Sequence, residues 1–200
     1  MSTTKTRRIW IALVAAIAAL ALGFSLSGCA GESDEELITK AIDEEMSIIV
    51  EPDDETISML AEEATSGAGS TFDSMGIDST ELVKSWIDGF GYTIGTITVD
   101  GDTATAEMTI TSKQLGPIMM DWQANFQENA TAQGFTSMDE IYAYAGQTIM
   151  DEINNASPVE TTVTVEVNKD GNNWVFDQGA ANQTALMDAM IGDYLSLIHI

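Results

Sequence analysis

Thirty-two carboxylates, one thiol and one imidazole are the most reactive groups in this 200-residue sequence. An acidic chain raises metal binding first. Asp100-Gly101-Asp102 and Asn168-Lys169-Asp170-Gly171-Asn172 carry part of the acidic spacing of calcium loops. The first has Ala104 where a ligand belongs, and the second has Asn173 where an EF-hand loop needs glycine. Asx-Gly pairs are also what tight hairpins use, so both segments are read as turns and no metal site is expected. Zinc and copper sites are disfavoured by a single Cys29 and a single His199. A nucleophilic enzyme needs Ser or Cys beside a base, and no Gly-x-Ser-x-Gly elbow is present. Gly67-Ala68-Gly69 lacks the lysine of a phosphate loop. A carboxylate pair could serve as glycosidase acid and base, but among 32 acids some pair is always close. The reading is a non-enzymatic protein with no cofactor.

Binding chemistry remains. Trp122, Phe126, Tyr144, Trp174 and Phe176, with Tyr142, Met119 and Met120, could line a concave pocket between helices and a sheet. Most of them fall on core-facing spacings, which makes core packing the competing reading. Tyr142 lies off the apolar stripe beside Tyr144 and is expected to be exposed.

Cys29 has a different role. Lys5, Arg7 and Arg8 precede an uncharged apolar run from Ile9 to Leu26, and Ser27-Gly28 stand before the thiol. That is the build of a secretory signal peptide. Leu26-Ser27-Gly28-Cys29 resembles the lipobox of bacterial lipoproteins, and the resemblance implies cleavage between Gly28 and Cys29, with lipidation of the thiol. The organisation expected is a cleaved signal peptide (1–28), a lipidated Cys29 with a short tether (29–33), a single domain (34–194) and a tail (195–200). That tail, Leu195-Ser196-Leu197-Ile198-His199-Ile200, resembles translated sequencing-adapter read-through, so no chemistry is placed on His199.

Removing residues 1–28 takes away three cations and no acid, leaving four lysines against 32 carboxylates, a formal charge of −28. Phosphate backbones and anionic headgroups repel such a surface. Nucleic acid is therefore excluded as a partner, and membrane attachment must come from the lipid, since two acyl chains anchor stably where one does not. The partner left is a protein or a small ligand of unidentified kind, met on the outer side of the cytoplasmic membrane.

The elements that must position these residues follow from periodicity. A helix is predicted over Asp34–Ile49. A second follows Pro52, with Ile57, Leu60, Ala61 and Ala64 on one face, and Ser66–Ser70 is read as a loop. Asp78 with Glu81 caps a short helix burying Leu82, Val83, Trp86 and Ile87. Tyr92–Val99 and Thr103–Thr111 read as a hairpin with a bulge at Gly95. Pro117 opens a helix that runs to Gln133, and Ser137 with Glu140 opens another through Ile153. Pro158 precedes a second hairpin, Val159–Val167 with Asn173–Asp177, and a last helix holds Leu186, Met187, Met190 and Ile191.

Phe90-Gly91-Tyr92-Thr93-Ile94-Gly95 with Val99–Ala106, Val163–Gly171 with Trp174-Val175-Phe176, and Leu186–Gly192 resemble Gram-positive lipoproteins carrying an uncharacterised DUF5105-like domain. The resemblance implies an NTF2-like or cystatin-like fold and carries no catalytic residues. The expected class is α+β: an antiparallel sheet from two hairpins with helices on one face, in the order α-α-α-β-β-α-α-β-β-α. The lipobox reading has a direct check. Cys29→Ala should release the protein from membranes or leave an unprocessed precursor, as followed by fractionation and intact mass; acylated, processed protein would overturn the anchor.

Overall fold

A computed structural model describes residues 32–65 and 69–192. Gly28, Cys29, the signal peptide and the tail from Leu195 lie outside the described residues. Within them the chain runs α1 (Asp34–Val50), α2 (Asp54–Thr65), α3 (Gly69–Met75), α4 (Ser79–Ile87), β1 (Gly91–Asp100), β2 (Thr103–Ser112), α5 (Leu115–Ala130), α6 (Met138–Asn155), β3 (Val159–Asp170), β4 (Asn173–Phe176) and α7 (Ala180–Ile191). The class is α+β, with a four-stranded antiparallel sheet in the order β1-β2-β3-β4. The expected order lacked α3, a seven-residue helix that begins inside the segment read as a loop. So short a helix is marginal by itself and forms here by packing.

Local chemistry accounts for most boundaries. Ser33 caps α1: its hydroxyl accepts the Glu36 N–H while Glu36 accepts the Ser33 N–H at 2.8 Å, a full capping box. Asp53, Asp78 and Ser137 likewise accept the N–H three residues on. Glu140 makes its return bond one residue earlier than a capping box would, to the Thr136 N–H at 2.6 Å. α5 starts two residues before Pro117, where the missing N–H is tolerated because first-turn donors lack helical partners anyway. The same helix stops three residues short of Gln133. Each hairpin turns on two residues led by glycine, Gly101 (φ +65°) and Gly171 (φ +63°), with no positive φ at the residue that follows. That combination matches a type II′ turn. The bulge at Gly95 is present: Ile94 faces Met108 and Ile97 faces Ala106, so Gly95 and Thr96 together oppose Glu107.

The inner face of the sheet is Ala104, Ala106, Met108 and Ile110 of β2, Val165 and Val167 of β3, and Trp174 and Phe176 of β4, all buried. Ile38, Ala41, Ile42 and Met46 of α1 pack on it, with Leu186 of α7. The outer face presents Thr98, Thr105, Glu107, Thr162 and Thr164 to solvent. Only part of the helical content lies on the sheet. Helices α3–α6 close a second core around Ile77, Ile118, Ile149 and Ile153, and α2 joins α4 through Ile57, Ala61 and Val83.

The two cores are tied at the end of β2. Buried Ser112 donates to the Ala189 carbonyl at 2.8 Å. Buried Lys113 donates to the Ser85 carbonyl at 2.9 Å and lies 3.5 Å from Asp88. Trp86 Nε1 donates back to the Lys113 carbonyl at 3.0 Å, and Gln114 reaches Thr161 at 2.9 Å.

Gly146 explains how α3 docks. A Cβ at this buried position of α6 would stand 2.0 Å from the Met75 carbonyl oxygen, a contact that backbone cannot relieve cheaply. Gly146→Ala should therefore destabilise the fold by about 1–3 kcal/mol, as overpacking typically does, even though alanine is the better helix former. Urea denaturation checks this; an unchanged or raised midpoint would refute the close approach.

Candidate functional site

Trp122, Phe126 and Tyr144 come together on facing sides of α5 and α6. Spacing does the first part: Trp122 and Phe126 are four apart and share a helix face. Their rings lie 5.4 Å centroid to centroid, Phe126 and Tyr144 5.8 Å, and Tyr144 and Phe135 5.3 Å, all tilted. These are attractive ring geometries. Trp122 Nε1 donates to Thr148 Oγ1 at 3.0 Å, and Thr148 donates to the Tyr144 carbonyl at 2.9 Å. Each ring is half-buried, with one side turned to an open groove of about 250 Å³.

Polar groups make up the rest of the groove. Asn125, Asn129 and Asn155 supply amides, and Asp151 and Glu152 supply carboxylates. Asn125 Nδ2 donates to Glu152 Oε1 at 2.7 Å, bracing one carboxylate oxygen. Asn129 Nδ2 is turned onto the Asn125 carbonyl at 2.8 Å. An aromatic wall beside a few convergent polar groups is the usual make-up of a small-ligand site.

The five aromatic residues proposed from sequence as pocket lining are thus split. Trp122, Phe126 and Tyr144 line one groove between two helices. Trp174 and Phe176 are each 5% exposed and belong to the core under α1. They are held there by the hairpin register, which points both side chains inward. Trp174 Nε1 donates to Asp34 Oδ1 at 2.9 Å, and Lys169 reaches the same oxygen at 3.2 Å while lying 5.2 Å from the Trp174 ring. The Trp174 and Lys169 hydrogen bonds hold the Asp34 carboxyl below its ordinary range. Met119 packs in the helical core, Met120 is exposed, and Tyr142 is half-buried where exposure was expected. Cys29 and Gly28 are not among the described residues.

Among the buried polar residues that escaped the sequence reading, three bind across elements with amide or charged side chains. Asn182, 1% exposed, bonds both the N–H and the C=O of Glu166 with its side-chain amide, at 2.7 and 2.8 Å, and its Nδ2 also reaches the Asp177 carbonyl at 2.8 Å. It continues the ladder along β3 where β4 has ended. Lys113 is the second. The third is Glu45, 7% exposed, which accepts from the Gln178 side chain. A signal was available: Ile38, Ala41, Ile42, Glu45, Met46 and Ile49 form one helical stripe, and so do Asn182, Leu186, Ala189 and Met190. A polar residue on a buried stripe needs a partner.

A second groove, of about 290 Å³, lies among α1, α2 and α4. Ile49, Pro52, Ile57 and Phe90 line it together with Lys84, Asp54 and Asp88. Near α1, burial first and the Asp43 hydrogen bond second push the Tyr92 phenol far above its ordinary value, so its O–H donates to Asp43 at 2.6 Å throughout the physiological range. Among the described residues no three His, Cys, Asp or Glu side chains converge as metal ligands, and no helix is long and apolar enough to cross a membrane.

No family model matches the chain, the DUF5105-like one included, and no curated protein sequence matches it. A solved structure does resemble it. The crystal structure of the candidate lipoprotein ycdA from Bacillus subtilis superposes with a TM-score of 0.51 at 16% identity, over 76% of this chain and 55% of that one. The chain therefore spans about half the length of that neighbour. At this identity the likeness is one of fold, and it supports the α+β architecture.

Glu45 supplies a pH test. Burial pushes its carboxyl above the ordinary value of 4.5 despite the Gln178 hydrogen bond. A raised native value means that the folded state holds its proton more tightly. Stability from this group is greatest below pH 4.5 and is lost as pH rises through the raised native value. Glu45→Gln should therefore stabilise the protein at pH 8, and the gain should shrink toward pH 4.5. Urea midpoints at the two pH values measure this; a pH-independent difference would contradict it.

Proposed function

We propose that this protein is a lipid-anchored domain on the outer side of the cytoplasmic membrane, which binds a small ligand without chemical conversion in the α5–α6 groove. The observation that carries the binding reading is that the half-buried Trp122, Phe126 and Tyr144 rings line, together with Asp151, Glu152 and three asparagines, an open groove of about 250 Å³. Rings in a protein core are covered; these keep an open side beside hydrogen-bonding groups.

Anchoring rests on the Leu26-Ser27-Gly28-Cys29 segment, and α1 starts five residues after Cys29. Glu32 pairs with Lys40, and Ser33 caps α1. Three residues of extended chain reach about 10 Å, so a lipid on Cys29 would hold the α1 end of the domain at the bilayer. The β3–β4 hairpin is pinned to that end through Asp34. Thr148, the aliphatic hydroxyl of the groove, is committed to Trp122 and the α6 backbone. The competing reading, a cavity between helices and sheet, loses its expected lining because Trp174 and Phe176 pack against α1.

Intrinsic fluorescence tests groove binding. The full chain, in a nonionic polyoxyethylene detergent, is titrated with tetramethylammonium, acetate, glucose and 3,3-dimethylbutanol as probes of four chemistries. At least one should change the emission saturably, and Trp122→Phe should abolish the change while leaving the circular dichroism spectrum intact. Silence toward all four, or a response that persists in Trp122→Phe, would reject the groove as a binding site.

A further inference from the structure

We infer that the α5–α6 groove selects a small organic ammonium ion bearing apolar substituents, an inference that rests on the groove-binding reading above. Its first support is charge complementarity. The groove holds Asp151 and Glu152 and no lysine. Each of the three ion pairs among the described residues uses a lysine elsewhere: Lys40 with Glu32, Lys113 with Asp88 and Lys169 with Asp34. The second groove is different, because Lys84 lines it beside Asp54 and Asp88 and offsets part of their charge.

The second support is the position of the carboxylates. Glu152 lies in the last turn of α6, where the backbone carbonyls concentrate partial negative charge, Asp151 directly precedes that turn, and the turn contains no basic residue. Carboxylates there are unfavourably placed. A ligand cation would relieve this repulsion, as no protein group in that turn does.

The third support is the aromatic wall. Ring faces attract cations, Trp most strongly, and an ammonium with alkyl substituents also buries apolar surface against them. A bare metal ion would forgo the rings, and a neutral sugar would leave the carboxylate charge uncompensated. Asn125 fixes one oxygen of Glu152 at 2.7 Å, and so holds the carboxylate at the groove in advance.

The test compares tetramethylammonium with 3,3-dimethylbutanol, one charged and one neutral, in the full chain by Trp122 fluorescence. Tetramethylammonium should bind at least tenfold more tightly, and weaken as salt rises. Asp151→Asn with Glu152→Gln should weaken it about fivefold or more, while raising Tm in the absence of probe, because helix-end repulsion is removed. A purely structural role for the two carboxylates would lower Tm instead. Equal affinity for the neutral probe, or Trp122-dependent binding of glucose, would overturn the ammonium assignment and leave groove binding standing. Failure of every probe would remove both. Should the double variant unfold, Asp151→Asn alone, at an exposed position, reads the same loss.

Discussion

The burial of alternate residues of β2 against α1 is the constraint on which the sheet depends. β2 is flanked by β1 and β3, so its backbone is paired on both sides and its inner side chains have nowhere to go but the helix. Ala104, Ala106 and Met108 pack in one cluster with Ile38, Ala41, Ile42 and Met46 of α1, and these three and Ile110 are all at 3% exposure or less. Each large apolar side chain buried this way contributes about 1.5–3 kcal/mol. Moving the register by one residue would put Thr105, Glu107 and Thr109 under α1 and expel the whole apolar set. β1 absorbs its extra residue as a bulge at Gly95, so the alternation in β2 is undisturbed.

The helical part depends on that sheet through a short polar junction. Ser112, Lys113 and Gln114 leave β2 and immediately bond to α7, α4 and β3. A buried ammonium is costly unless its donors are satisfied, and Lys113 meets that demand with the Ser85 carbonyl and Asp88. The junction sets where α5 begins. From there the α5–α6 pair carries its aromatic rings in a groove lined by residues of those two helices. The groove is therefore a product of the second core, and the sheet supplies only its footing.

Charge gives the molecule its character without deciding its fold. Exposed carboxylates are used locally: Glu36, Asp53 and Glu140 each accept backbone N–H groups at helix starts, and those bonds hold their carboxyls below the ordinary range. Most of the others remain solvated and repel one another. The proposed lipid anchor and the proposed ammonium ligand would each answer that negative field in a different way. The first would hold the domain at a surface that electrostatics alone would repel; the second would neutralise the field at one point.

Elements with strong local signals were legible in the residues themselves. Capping side chains at Asp78 and Ser137, the Gly101 and Gly171 turns, the Gly95 bulge and the β2 alternation all reappear because each depends on interactions within a few residues or one strand. α3 was not legible: seven residues beginning at Gly69 have little intrinsic helicity, and the helix is held by the contact of Met75 with Gly146, seventy-one positions away. The partners of Asn182, Glu45 and Lys113 were hidden for the same reason, since a buried stripe tells that a polar residue needs a partner and not which one it meets. The aromatic residues show the division most clearly. By itself the sequence determined the α+β class and set Trp122 with Phe126, and Trp174 with Phe176, on common faces. Tertiary structure alone decided that the first pair would join Tyr144 at an open groove and the second would be sealed beneath α1, because periodicity settles which way a side chain points along its own element, while only packing settles what stands opposite.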